Sequence, residues 1–390
     1  MADNEEGRML TKSAQPRGIN VDMLRVVCMF FIVVLHSYGV VGLLSSIKPL
    51  SANWWVCSTF RAIASNASNC YVLISAYFLC MSRFSARKVL SLMLQVFIYS
   101  SVLYLLAVST GIRIFNTEEM LKAFFPVSTA YIWFASCYAA MYILSPFINI
   151  SIGSMSREKL RNLIVILFVF LSLAPAVTLG HDAFGVARGF SLIWFVFLYY
   201  TAAYIRLYVY DMTKESGGGA LKYLCVFVLL ILFAVLCRGF AAPPLYRIYG
   251  RTPFVLFYGR TAPVFLFASL SIFMFFLRIR VTNGLVSKVV SALTPLVFGI
   301  YLFHNHPAVR GFIWNNIFHM KEYANAPYLP FYILFAAVCV YSAGLLIDSL
   351  RMRLQGMLEN TAVFKKACAA LSSAKLISVM ESVDKKAAVR

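Results

Sequence analysis

Residues 20 to 38, NVDMLRVVCMFFIVVLHSY, form an apolar run interrupted by one Asp, one Arg and one His. A run of this kind predicts a membrane-crossing helix, because roughly 20 apolar residues span the hydrocarbon core. At about 100° and 1.5 Å per residue, the eleven steps from Arg25 to His36 make about three turns and a rise of roughly 16 Å. Both side chains therefore leave one face. Asp22 lies three residues before Arg25, close enough on that face to pair with the guanidinium. One helix carries a polar line.

In a bilayer such a line is expensive, since a charged group at mid-depth costs about 2.5–3.5 kcal/mol on insertion scales. A helix that keeps it turns it toward a cavity or a polar partner. Asp22 and Arg25 are equally accounted for as interface anchors that snorkel toward water. His36 sits past the middle of the run, where snorkelling does not reach. It is either a buried structural hydrogen-bonding group or a functional one.

The chain has 390 residues, 61% hydrophobic and 13% charged, against about 25% charged in an ordinary soluble domain. Long apolar runs separated by short charged clusters predict an all-α integral membrane protein, a polytopic bundle of about ten transmembrane helices. The runs fall at roughly 23–45, 54–81, 89–110, 129–150, 161–180, 189–208, 220–238, 254–278, 287–304 and 328–350. An even number puts both termini on one side. With that side cytoplasmic, 24 of the 35 basic residues lie inside, which the positive-inside rule favours. The net charge of +20 is thereby explained by topology, without nucleic acid. The organisation expected is a cytoplasmic segment 1–21, a membrane domain 22–350 and a basic cytoplasmic tail 351–390. Within that tail, 367–379 reads as an amphipathic helix or as disordered chain. The nine cysteines show neither paired nor metal-type spacing, so neither a disulfide framework nor a metal site is expected. Residues 1–19 lack the apolar core of a signal peptide.

Four more stretches carry chemistry-bearing residues. SNCYVLISAYFLCMSRFSARK, 68–88, follows Asn66 and holds Ser68 and Asn69 inside a span, where amides and hydroxyls glue helices or line a cavity. Its inner end carries Arg83, Arg87 and Lys88, suited to the phosphates of an anionic donor and equally to ordinary inside charge. YIWFASCYAAMYILSPFIN, 131–149, places Trp133 near an outer end as an interface anchor. TPLVFGIYLFHNHP, 294–307, brings His304 to the outer end of its span, with Gly299 permitting a close helix approach and His306 in the following loop. In the segment 238–260, Arg247, Tyr249, Arg251, Tyr258 and Arg260 mix cations with aromatic rings, a surface suited to polyols or to the membrane interface.

The Arg25-to-His36 spacing inside Asp-Met-Leu-Arg, the Asn-Cys-aromatic stretch at 69–71, the Trp133 to Pro146-Phe147 span and the Phe-Gly-Ile-Tyr-Leu-Phe-His element at 298–304 resemble the acyltransferase-3 family of membrane O-acyltransferases. Ala76 stands where the family has Gly, and three residues separate Arg83 from Arg87 where the family has two. The resemblance implies a multi-pass enzyme of the bacterial cell (inner) membrane. It would move an acetyl or other short acyl group from cytosolic acyl-coenzyme A, a co-substrate and not a bound cofactor, to a sugar hydroxyl of a surface polysaccharide or lipid-linked glycan. In that scheme His36 activates the acceptor with help from His304. Arg25, beside Asp22, positions the donor, whose phosphates Arg83, Arg87 and Lys88 hold. Arg247, Tyr249, Arg251, Tyr258 and Arg260 face the glycan. An imidazole titrates near neutrality and can serve as base or as acyl carrier. A glycolipid flippase with the polar line as its pathway is the alternative, although no internal repeat is visible. A scaffold for polymer assembly leaves His36 without a reason.

Overall fold

The computed structural model describes residues 18–178, 180–211, 218–241, 244 and 259–373. Among them every regular element is helical and no strand occurs. The first half carries α1 (Ile19–Gly39), α2 (Ala52–Ser65), α3 (Ala67–Leu79), α4 (Ala86–Ser109), α5 (Trp133–Gly153) and α6 (Arg157–Val177). The second carries α7 (Leu192–Val209), α8 (Ala220–Ala241), α9 (Pro263–Arg278), α10 (Gly284–Leu293), α11 (Val297–His304), α12 (Leu329–Glu359) and α13 (Ala362–Ser373).

Seven of these, α1, α4, α5, α6, α7, α8 and α12, are long and apolar enough to cross a membrane, and the bent pair α10 and α11 makes an eighth if counted as one span. The ten runs expected from the sequence all contain helix, but three of them are not simple spans. Run 54–81 is divided at Asn66, whose side-chain amide turns back to the carbonyls of Ala62 (2.9 Å) and Ile63 (3.3 Å). Such back-bonding competes with the helical ladder and marks the break. Run 287–304 bends by 46° between α10 and α11, at Pro295, which has no N–H to continue the first helix. Helix α9 starts only at Pro263 and is 16 residues long; residues 254–258 of that run lie outside the described residues. At the C-terminal side α12 continues to Glu359, across the boundary expected at 350, and α13 covers the first part of the expected amphipathic stretch, of which 374–379 lie outside the described residues.

Helix α1 is the hub. It packs against α2, α3, α9, α10, α11 and α12, and half of its span is buried, against 22% for the peripheral α8. The outer face of α8 shows Val228, Leu229, Leu232, Phe233 and Leu236. In water that apolar face would be a liability, whereas in lipid it is the natural surface. Several polar groups inside the bundle are paired across helices. Asn69 binds the Arg260 carbonyl (3.0 Å) and accepts from the Trp194 indole (3.0 Å), and Ser269 on α9 donates to Asn66 (2.9 Å). Helix glue is therefore the role of Asn66 and Asn69.

The end of the bundle that holds the first turn of α1 collects cations. Asn20 caps the last carbonyls of α9, at Phe276 (2.7 Å) and Leu277 (3.2 Å). Beside it Arg278 lies over the Tyr210 ring at 4.2 Å, and buried Arg206 pairs with Asp211 at 2.8 Å while stacking on Tyr77. A second buried charge lies on α12. Asp348 is fully buried and is bound by Arg351 through two hydrogen bonds, 2.8 and 2.6 Å long. Removing one partner of such a pair leaves an uncompensated buried charge, at about 3–5 kcal/mol. Asp348→Ala is accordingly expected to lower the thermal midpoint in detergent by many degrees, whereas Arg83→Ala, at an exposed position, leaves it in place. Equal midpoints for the two variants would contradict the assignment.

Candidate active site

Helix α1 delivers the predicted line intact. Arg25 reaches Asp22 at 3.3 Å, and its guanidinium lies 6.0 Å from the Phe78 ring. At the other end of the helix, His36 meets His304, with Nδ1 of His36 2.8 Å from Nε2 of His304. The two histidines are 268 residues apart in the chain, and their helices are direct neighbours.

The proton positions follow from the partners. His304 Nδ1 lies 2.6 Å from the carbonyl oxygen of Ile300, one turn earlier on α11. A carbonyl oxygen only accepts, so Nδ1 of His304 carries the hydrogen. In a neutral His304 the lone pair is then on Nε2, and His36 must donate its own Nδ1–H to it. Nε2 of His36 is left as a bare acceptor. One backbone carbonyl thus fixes two tautomers in series and leaves a single basic nitrogen at the end of the chain.

That imidazole lines a narrow cavity between α1, α2, α3, α5 and α11, walled by Met29, Ile32, Leu35, Phe134 and Phe298, with polar groups from Ser68, Tyr71, Arg260 and Tyr301. Its free volume is about 20 Å³, room for a water or two. The hydroxyl of Ser68 is buried without a hydrogen-bond partner, an unmet demand that marks a place for polar ligand atoms. Of the polar cluster at 66–69, Ser68 is thus the member that lines the cavity. Tyr71 spans the two halves of the polar line: it borders the cavity beside His36 and donates its hydroxyl to the Arg25 carbonyl at 2.9 Å.

Arg260 enters the cavity from the loop before α9. Its guanidinium is held over Phe190 at 4.1 Å and over Trp133 at 5.4 Å. The cage closes because Gly189, at φ +88°, brings its backbone against the Arg260 side chain, where a Cβ would sit 3.3 Å from the Arg260 Cβ. Stacked between rings, the cation is held in one orientation. Trp133, expected as an interface anchor, also forms a wall of this site.

The remaining predicted residues are not gathered here. Arg83, Arg87 and Lys88 are exposed at the Arg25 end of the bundle, with Arg87 3.6 Å from Glu359. Arg247, Tyr249, Arg251 and Tyr258 lie outside the described residues. His306 is in a loop, as expected, but wholly buried against Tyr131, 5.4 Å between ring centroids. Arg206, Arg278 and Phe190 carry no site role in the sequence pattern and are added by the structure. Only the alternation of tyrosine and arginine at 204–210 offered a signal, and that for Arg206 alone.

A family model described as an acyltransferase domain, that of the acyltransferase-3 family, matches residues 19–348. Comparison with curated proteins gives no match, and comparison with solved structures gives none.

The hydrogen-bond chain makes a spectroscopic prediction. In protein labelled with ¹⁵N-histidine, His36 and His304 should each show a protonated Nδ1 and an unprotonated Nε2. A protonated Nε2 on His304 in the neutral protein would break the assignment.

Proposed function

The chain belongs to the acyltransferase-3 family, and from that membership and the His36 geometry we propose a bacterial cell-membrane O-acyltransferase that acts on glycans. It moves an acetyl or other short acyl group from cytosolic acyl-coenzyme A to a sugar hydroxyl of a surface polysaccharide or lipid-linked precursor. The observation that carries this proposal is the bare Nε2 of His36 at the cavity, with its other nitrogen oriented through His304.

Acyl transfer needs a base for the hydroxyl proton and positive charge for the developing oxyanion. His36 Nε2 takes the proton as the sugar oxygen attacks the thioester carbonyl. The resulting imidazolium keeps its Nδ1–H on His304 Nε2, so His304 orients the base and spreads its charge, as the third member of a hydrolase triad does. Arg260, with the Tyr301 and Ser68 hydroxyls, faces the tetrahedral oxyanion. Collapse of that intermediate breaks the carbon–sulfur bond, and the leaving thiolate recovers the proton from His36. An acyl-imidazole on the same nitrogen is the two-step variant.

In this scheme the donor's phosphates lie at the Arg25 end, among Arg25, Arg83, Arg87 and Lys88, with Arg206 and Arg278 adding to the field. The sugar lies at the His36 end, where Arg260 meets it. Both termini are then cytoplasmic, in keeping with the basic residues on that side.

Purified protein given acyl-labelled coenzyme A and a polysaccharide acceptor should transfer label, and His36→Gln should lower transfer by about 10²–10⁴-fold, the range for losing a positioned base. Unlabelled acceptor from well-folded wild-type protein would point to a flippase instead. Arg260→Lys should cost activity although charge is kept, because an ammonium lacks the planar face that stacks between Trp133 and Phe190. Full activity in that variant would remove Arg260 from the site.

A further inference from the structure

Helix α11 has eight residues, too few to hold its own shape, and it begins just after the 46° bend. Its neighbour α12 grips it at two places. Gly299 lies against the buried Asp348 carboxylate so closely that a Cβ there would coincide with it. One residue on, the backbone of Ile300 lies against Gly344, where a Cβ would meet the Ile300 Cα at 3.1 Å. Both contacts bear on the turn whose carbonyl, that of Ile300, holds the His304 Nδ1–H.

Asp348 is itself held by two side chains. Arg351 binds both its oxygens, the Tyr99 hydroxyl of α4 donates at 2.8 Å, and Arg351 continues to Gln355 at 2.7 Å. Gln355 in turn donates to the Ser91 hydroxyl at 2.9 Å. A fully buried ion pair adds little net stability compared with apolar packing, and its best-attested use is to specify one arrangement among several. Neither Asp348 nor Arg351 lines the His36 cavity, so the network does not touch the reacting groups.

We propose that Asp348, Gly299 and Gly344 are positioning residues. They set the height and rotation of α11 so that the Ile300 carbonyl keeps His304 in its Nδ1–H form, with Nε2 facing His36. The catalytic part of the proposal rests on the acyl-transfer scheme above; the tautomer part stands without it. The carboxylate acts as a rigid stop. Carbonyl direction is sensitive to helix rotation, and hydrogen bonds weaken steeply as their angle closes.

Gly344→Ala is the mild probe, because its methyl displaces Ile300 by only a few tenths of an ångström; Gly299→Ala is the severe one. Gly356→Ala, on the same helix with open space around it, is the control. In ¹⁵N-histidine spectra of the full-length protein, Gly344→Ala should move the His304 nitrogens away from the fixed Nδ1–H pattern toward a mixture of tautomers. Its kcat should fall at least tenfold with KM for donor and acceptor unchanged, while its thermal midpoint stays with the Gly356→Ala control. A wild-type His304 pattern in both Gly344→Ala and Gly299→Ala overturns the proposal. So does a fall in activity that merely tracks the amount of folded protein. A shifted tautomer in a chain whose wild type transfers no acyl group upholds the positioning role and removes the acyl-transfer scheme instead.

Discussion

Two neutral imidazoles facing each other at 2.8 Å can share their proton in either direction, and by themselves they do not define a base. The carbonyl of Ile300 breaks the symmetry. It occupies one nitrogen of His304, which commits the other to accepting, which in turn commits His36 to donating. Directionality in the site therefore comes from a backbone group on a short helix and not from a carboxylate. Low local polarity strengthens each bond in the series.

The bundle is arranged to hold that short helix still. Helix α1 occupies the centre, α11 leans on it, and α12 backs α11 through two glycines and a buried carboxylate. Polar residues elsewhere in the interior serve the same end. Asn69 ties α3 to the loop that carries Arg260, and Ser172 donates to the neighbouring Thr261 carbonyl at 2.6 Å. With few apolar forces to drive helices together in lipid, such bonds and close backbone approaches decide which helices meet.

Periodicity along 20–38 was enough to place Asp22, Arg25 and His36 on one face, and the same arithmetic brought His304 to the end of its span. Those features depend only on local helix geometry. The break at Asn66 did not show, because an asparagine in an apolar run reads the same whether it bonds across helices or back to its own turn. Asp348 and Arg351 fell at the expected edge of the last span, where charge is ordinary, and only the path of α12 puts them inside the protein. The Arg260 cage joins residues 133, 189, 190 and 260, which no local pattern relates.

Tyrosines from two helices fasten α1 at one level. Tyr71 donates to the carbonyl of Arg25, and Tyr341 donates to that of Val26 at 3.3 Å. Gripped on adjacent carbonyls, the helix has no freedom to slide along its axis. The rise of roughly 16 Å along the helix from Arg25 to His36 is then a ruler built into the protein. Under the proposed acyl-transfer scheme, a carrier anchored beside Arg25 would bring its carbonyl to His36 only with an arm of matching length, so that selection would act through reach as well as through headgroup.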